Sequence, residues 1–277
     1  MEEVSALASN ILFSDVALSR RLERAEGSAC VQFAEARRRL FPESGAEWME
    51  CGGAYAVFDG IDSPITQAFG IGIFEELSTG TLDTIERFFG DRGAKVDLEV
   101  SPLVGVDALN LLCGREYRPI EISNVMIRSV ERPEDGDRGN IRVRLISPEE
   151  ADLWTEVSAR GWSHEHPELR EFVLQFGALS AAREQSLNFL GEVDGQPGAA
   201  GSLWVHAGVA VFAGAATVPE LRKRGLQSAL LEERMRYASE HGCDLAMMVA
   251  EAGSNSQRNA ERKGFQVAYT RTKWRLS

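Results

Sequence analysis

The chain has 277 residues, which at roughly 150 per domain is about 1.8 and points to two modest domains. Hydrophobic residues make up 44% and charged residues 26%, which excludes a disordered or collagen-like chain, and no apolar run reaches the ~20 residues a membrane helix needs. Lys and Arg number 30 against 42 Asp and Glu, a net charge of -12 that argues against general affinity for nucleic acid and is compatible with an amine substrate. The acidic start Met1-Glu2-Glu3 leads into no apolar stretch with a cleavage site, so no secretory signal is expected. Cys30, Cys51, Cys113 and Cys243 form no C-x-x-C pair. They read as free thiols of a reducing, cytoplasmic compartment rather than a disulfide frame or a metal site.

In chain order, amphipathic helices are expected over 14–26 and 29–40, then strands over 47–51, 54–58 and 66–73. A helix over 81–89, a strand over 94–100 and a helix over 106–112 follow. The charged, Pro- and Gly-containing stretch 131–140 has no apolar residue to bury and reads as a linker between domains 1–130 and 141–277. Beyond it, 141–146 alternates like a strand, and Ser147-Pro148-Glu149-Glu150 opens a helix to about 160. A loop with Trp162, His164, His166 and Pro167 leads to a helix over 168–182. Strands are expected over 188–193, 200–206 and 209–218, the first two joined by the hairpin pair Asp194-Gly195. A helix over 226–240 ends at Gly242, a strand covers 243–250, Ser254 or Asn255 caps a helix to Lys263, and the last strands fill 265–274.

The first domain reads as a worn copy of the second. Glu76-Leu77 matches Glu220-Leu221, Gly80 matches Gly225, Gly93 matches Gly242 and Tyr117 matches Phe265, with offsets that stay between 144 and 149. Landmarks at a nearly constant offset are what an internal duplication leaves behind.

The chemistry concentrates where the strand ending at Thr217-Val218 passes through Arg222-Lys223-Arg224 into a helix opening at Gly225. The first turn of a helix has unpaired N–H groups and the positive end of the dipole, and a glycine there lets an oxyanion approach the backbone. With a basic island in an otherwise acidic chain, this is a candidate pyrophosphate cradle. A basic turn that merely faces solvent is the plainer alternative. The corresponding stretch of the first domain, Phe74-Glu75-Glu76-Leu77-Ser78-Thr79-Gly80, keeps the glycine but carries acids in place of the basic residues, so no coenzyme is expected there.

The run from Thr217 to Leu231 resembles the acetyl-coenzyme A signature of the GCN5-related N-acetyltransferase (GNAT) family, Arg/Gln-x-x-Gly-x-Gly/Ala, with Arg222 and Gly225 in place and Gln227 where Gly or Ala is usual. The run from Ser254 to Gly264-Phe265 is similar to that family's closing helix. The resemblance implies an α/β (α+β) fold of two GNAT-like domains, each a mixed, mostly antiparallel sheet flanked by helices, the first degenerate. It further implies acetyl transfer from acetyl-CoA to a primary amine by direct attack in a ternary complex. Ala216, Thr217 and Val218 would pair with the pantetheine arm, and Arg222, Lys223, Arg224, Gly225, Leu226, Gln227 and Ser228 would hold the pyrophosphate. A backbone N–H near Val218 would face the thioester oxygen, and Gly214 would mark a bulge in its strand.

Many family members place a tyrosine acid four residues before the closing glycine, where this chain has Ala260. Ser256 remains as a contact to pantetheine or water. The strand 209–218 has no carboxylate, so Glu251 is the nearest candidate base. Trp162 and His164 are candidate acceptor contacts, with a small-molecule or peptide amine as partner and a monomer or homodimer as the assembly. The rival class is a non-catalytic acyl-CoA-binding regulatory module, which Ala260 favours.

Overall fold

The computed structural model describes residues 12–134, 136, 138–164, 167 and 170–277. Its contacts divide the chain into two compact units. The first takes residues up to Val31, Gly45–Ser129 and Met247–Ser277; the second takes Gln32–Ser44 and Val130–Ala246.

Helix α1 (Val16–Leu40) is continuous, where two helices parted near Gly27 were expected. Packing overrides the low helix propensity of Gly27, because a Cβ there would lie 2.9 Å from the Tyr55 ring and 3.3 Å from Cβ of Phe69. Strands β1 (Glu47–Cys51) and β2 (Ala54–Phe58) form a hairpin over Gly52 and Gly53, both at positive φ as a two-residue turn requires. Strand β3 (Gln67–Phe69) is shorter than the expected 66–73, since Gly70 and Gly72 adopt φ +77° and +69° and turn the chain away. Helix α2 (Thr79–Gly90) crosses over to β4 (Asp97–Val100), which pairs parallel to β3.

Helix α3 (Val106–Gly114) and the long strand β5 (Tyr117–Ser129) follow. The sequence reading contains no strand there. Residues 118–122 are exposed and 123–127 buried without alternation, so β5 has no period-two pattern to find.

The chain's last strand, β11 (Gln266–Leu276), lies between β4 and β5 and pairs antiparallel with both, giving the order β1-β2-β3-β4-β11-β5 in the first unit. A cut at 131–140 therefore does not separate the compact units. Residues 247–277 pack with the N-terminal half because β11 finds its hydrogen-bonding partners there.

Alternate residues of β11 carry an ionic ladder. Tyr269 Oη donates to Glu23 Oε1 at 2.8 Å, and the buried Arg271 donates to both Glu26 oxygens at 2.6 and 2.7 Å. Arg271 also faces Glu23 at 3.4 Å and Glu99 at 3.1 Å. Lys273 pairs with Glu121 at 2.8 Å, and Arg275 grips Asp97 with two bonds of 2.7 Å. Breaking such a buried network is costly, so a slipped register of β11 is penalised.

In the second unit β6 (Ile141–Leu145), β7 (Leu187–Val193), β8 (Gln196–His206) and β9 (Val209–Thr217) pair antiparallel in sequence order. The β7–β8 turn uses Asp194 and Gly195 at φ +53° and +74°, and the β8–β9 turn uses Ala207 and Gly208 at +46° and +80°. A 3-10 turn (Pro148–Glu150) leads into α4 (Ala151–Trp162), with Glu150 accepting from the Ser147 N–H and from Arg144. Helix α5 (Arg170–Ala182) precedes β7, and α6 (Leu226–Glu240) follows β9. Strand β10 (Leu245–Glu251) begins in this unit and continues in the first, which also holds α7 (Asn255–Glu261). The order strand hairpin, third strand, helix, strand, helix, long strand thus occurs twice along the chain. Among the described residues, no helix is long and apolar enough to cross a membrane.

Candidate functional site

Strand β9 is bulged where Gly214 led one to expect it. Its pairing with β8 passes from Ser202↔Ala213 to Ala200↔Ala216, leaving Gly214 and Ala215 opposite Gly201. Gly214 adopts φ +61°, which a glycine reaches without strain. Ala213 and Gly214 are exposed.

Beyond the bulge the chain is fastened from below. The Val218 N–H donates to Gly198 O at 2.9 Å and the Val218 carbonyl accepts from the Leu221 N–H at 3.1 Å. The backbone of Val218 itself is thus committed to β8 and to the turn (Pro219–Leu221), so an N–H near Val218 that faces a thioester oxygen belongs to a neighbouring residue. A Cβ on Gly198 would lie 2.3 Å from Leu221 Cδ1, so a side chain there would push Leu221 from its seat.

Helix α6 opens at Gly225, which is left-handed at φ +87° and carries no side-chain cap. The first intrahelical bond runs from the Ala229 N–H to Gly225 O. The N–H groups of Leu226, Gln227 and Ser228 thus have no carbonyl one turn back within the helix. Lys223, exposed and at φ +62°, lets the chain turn into this helix. Arg222 donates to Thr217 O at 3.3 Å and to Gly161 O at 3.4 Å, and Arg224 pairs with Asp194 at 2.7 Å. Thr217 Oγ1 donates to Gln227 Oε1 at 3.2 Å, tying the strand end to the first helical turn.

Helix α4 closes on the same place. A Cβ on Gly161 would lie 2.6 Å from Cβ of Ala216 and 3.1 Å from the Thr217 nitrogen. Gly161 was not singled out in the sequence, where a glycine inside a helix reads only as a weak helix former. Trp162 follows it, half exposed, and His164 lies exposed in the next turn; His166 falls outside the described residues. Trp162 therefore sits next in chain to the contact between α4 and the end of β9.

Glu251 and Ser256 belong to the first unit. Glu251 is exposed at the end of β10, and Ser256 is exposed in the first turn of α7, whose cap is Ser254 Oγ accepting from the Gln257 N–H at 3.2 Å. Ala260 is buried, so this position turns inward and offers no hydroxyl.

The counterpart in the N-terminal half is built differently. Helix α2 is capped by Ser78 Oγ, which accepts from the Thr81 N–H at 3.1 Å. Phe74 packs against Gly53 and Gly70, and its ring lies 4.3 Å from the Arg24 guanidinium, which also stacks on Tyr55 and pairs with Glu50. A capped helix, an aromatic plug and two acids replace the uncapped helix and basic turn of the second half. Among the described residues, no group of three His, Cys, Asp or Glu side chains is placed to hold a metal ion.

Residues 150–265 match the Acetyltransferase (GNAT) family. No curated protein sequence matches the chain. Among solved structures, a GCN5-related N-acetyltransferase from Kribbella flavida has a TM-score of 0.61 at 16% identity, over 89% of this chain and 95% of its own. One from Sphaerobacter thermophilus has a TM-score of 0.51 at 18% identity, over 91% of each chain. A tandem GNAT protein from the clavulanic acid biosynthesis pathway has a TM-score of 0.58 at 11% identity, over 96% of this chain and 97% of its own. At these identities the likeness concerns the fold, which is that of GNAT proteins, a tandem one among them.

Proposed function

With residues 150–265 a domain of the acetyltransferase (GNAT) family, a fold that supports acyl transfer from an acyl-coenzyme A, we propose that this chain is an N-acetyltransferase acting from acetyl-CoA on a primary amine. The observation that carries the reading is the uncapped N-terminus of α6 at Gly225, set directly after a bulged strand and a basic turn. Free N–H groups and a helix dipole fit a pyrophosphate, and Arg222, Lys223, Arg224 and the backbone of Gly225 to Ser228 are the groups to hold it. The backbone of Ala216 and Thr217 takes the pantetheine arm, with Val218 as the anchor behind it. When bound, acetyl-CoA supplies the thioester whose carbonyl carbon the neutral amine attacks in a ternary complex.

In this reading Glu251 receives the proton of the amine through water, Ser256 contacts the pantetheine or a water, and Trp162 and His164 meet the acceptor. Positioning carries much of the rate, since proximity alone lowers a barrier by roughly 7 to 11 kcal/mol. As repeats along the sequence, 141–277 is the coenzyme-binding copy and 1–130 a degenerate GNAT-like copy that binds no coenzyme, with 131–140 linking the two in the chain although the compact units divide elsewhere. The acceptor is a small-molecule or peptide amine, and four cysteines outside any disulfide suit a reducing, cytoplasmic setting.

A specific observation supports one rival. Ala260 is buried at the position where the family's tyrosine acid would stand, which fits a regulatory module that binds acyl-CoA without turning it over. Release of free thiol from acetyl-CoA across a panel of amines separates the two: tight binding with no turnover on any amine establishes the module. Gly225→Glu, which puts bulk and negative charge into the cradle, abolishes coenzyme binding if the site is assigned correctly. Unchanged affinity in that variant would overturn the assignment.

A further inference from the structure

Arg234 of α6 is almost wholly buried, and among the described residues it has no carboxylate partner. Its hydrogen bonds all go to backbone carbonyls: Nη1 donates to Ser202 O at 3.0 Å and to Ala213 O at 3.4 Å, and Nε donates to Leu230 O at 3.3 Å. Ser202 and Ala213 are the paired residues on one side of the β8–β9 register jump. The guanidinium thus grips both strands where regular pairing stops.

Space for it is made by a glycine. A Cβ on Gly201, the residue opposite the bulge, would lie 3.2 Å from both Cζ and Nη1 of Arg234 and 3.0 Å from Leu230 Cδ2. The Phe212 ring lies 5.0 Å from Cζ and closes the remaining side. Burial pushes the guanidinium down to about 9, so it stays cationic at neutral pH, an expensive state for a group without a counter-ion. A helix position chosen for packing alone would carry Leu or Met. What the cation supplies instead is a donor fork for carbonyls at the edge of a bulge, where ladder bonds are lost.

We propose that Arg234 is a positioning residue that holds the Gly214 bulge of β9 in the shape that presents the backbone of residues 214–217 to the acyl-pantetheine arm. The bulge-holding role stands on this geometry, and its consequence for the coenzyme rests on the function proposed above.

The test compares the full-length wild type with Arg234→Met in hydrogen exchange, thermal melting and acetyl-CoA calorimetry. Loss of donors held by a charged group predicts amide exchange at 213–216 about tenfold faster and acetyl-CoA affinity about tenfold weaker. The melting temperature changes little, because removal of the uncompensated buried charge offsets the loss of those donors. A merely structural arginine gives the reverse, a lower melting temperature with unchanged affinity in the folded protein, and overturns the proposal. Unchanged exchange at 213–216 overturns it as well. If the wild type takes no acetyl-CoA, the proposed function fails, and exchange alone judges Arg234: faster exchange upholds the bulge-holding role and unchanged exchange refutes it. Should Arg234→Met not fold, Gly201→Ala displaces the guanidinium without removing it and is read by the same exchange criterion.

Discussion

Glu23 makes the stability of the first unit depend on pH in a range where most carboxylates no longer titrate. It is 1% exposed, facing Arg271, Tyr269, Glu26 and Glu99. Burial, the dominant influence, raises its carboxyl from 4.5 to about 7; Arg271 opposes this, Glu26 reinforces it, the Tyr269 hydrogen bond opposes it and Glu99 reinforces it. The folded state therefore holds the proton more tightly than the unfolded chain. The resulting stability is complete below the unfolded value and is lost as pH rises through the folded one. Between pH 5 and pH 8 the loss from Glu23 alone is on the order of 2 to 3 kcal/mol. Glu99, also raised mainly by burial, acts in the same direction.

Glu23→Gln fills nearly the same volume and cannot titrate. Guanidinium chloride unfolding at pH 5, 6, 7 and 8, followed by circular dichroism, reads the difference. The wild type loses more stability than the variant across this range, by roughly 2 to 3 kcal/mol. The reasoning is refuted if the two proteins lose stability in parallel.

Three further substitutions probe the packing around both cradles. Gly53→Ala forces a side chain into left-handed backbone with its Cβ 2.4 Å from Cβ of Phe74; chemical denaturation should show a loss of about 2 to 4 kcal/mol. Gly161→Val pushes the end of α4 against Ala216 and Thr217, and calorimetry should show acetyl-CoA bound roughly tenfold more weakly while the far-ultraviolet spectrum is kept. Gly225→Glu should leave the fold intact and remove coenzyme binding, since the carboxylate opposes a pyrophosphate at the helix N-terminus.

Much of the second unit was legible because its signals are local. Asp194-Gly195 and Ala207-Gly208 each form the positive-φ pair that a tight hairpin needs, and Gly225 carries the left-handed start of α6. The bulge at Gly214 could be read for the same reason. The first unit was less legible. Gly27 is helical only because Tyr55 and Phe69 press on it, and β5 lacks alternation because half of it is exposed and half is buried.

The roles of Gly161, Gly198 and Gly201 were hidden for another reason. A glycine that exists to admit a neighbour is recognisable only once the neighbour is in place. Arg234 reads as one more polar residue of an amphipathic helix until the carbonyls above it are known. That the Val218 N–H itself is occupied is likewise invisible in the sequence, because its acceptor, Gly198 O, lies on another strand.

The sequence by itself determined the composition class, the hairpins, the basic turn ahead of α6, the absence of a tyrosine at Ala260 and the family resemblance. All of these are set by residue identity within short windows or at a repeated offset. Tertiary structure alone decided where the last strand goes. Nothing in 266–276 announces that it pairs with residues 97–100 and 117–127 rather than closing its own half. That choice depends on hydrogen-bonding edges and on Glu23, Glu26, Glu99 and Asp97, carboxylates more than 150 residues away in sequence, which only the folded chain brings to Arg271 and Arg275.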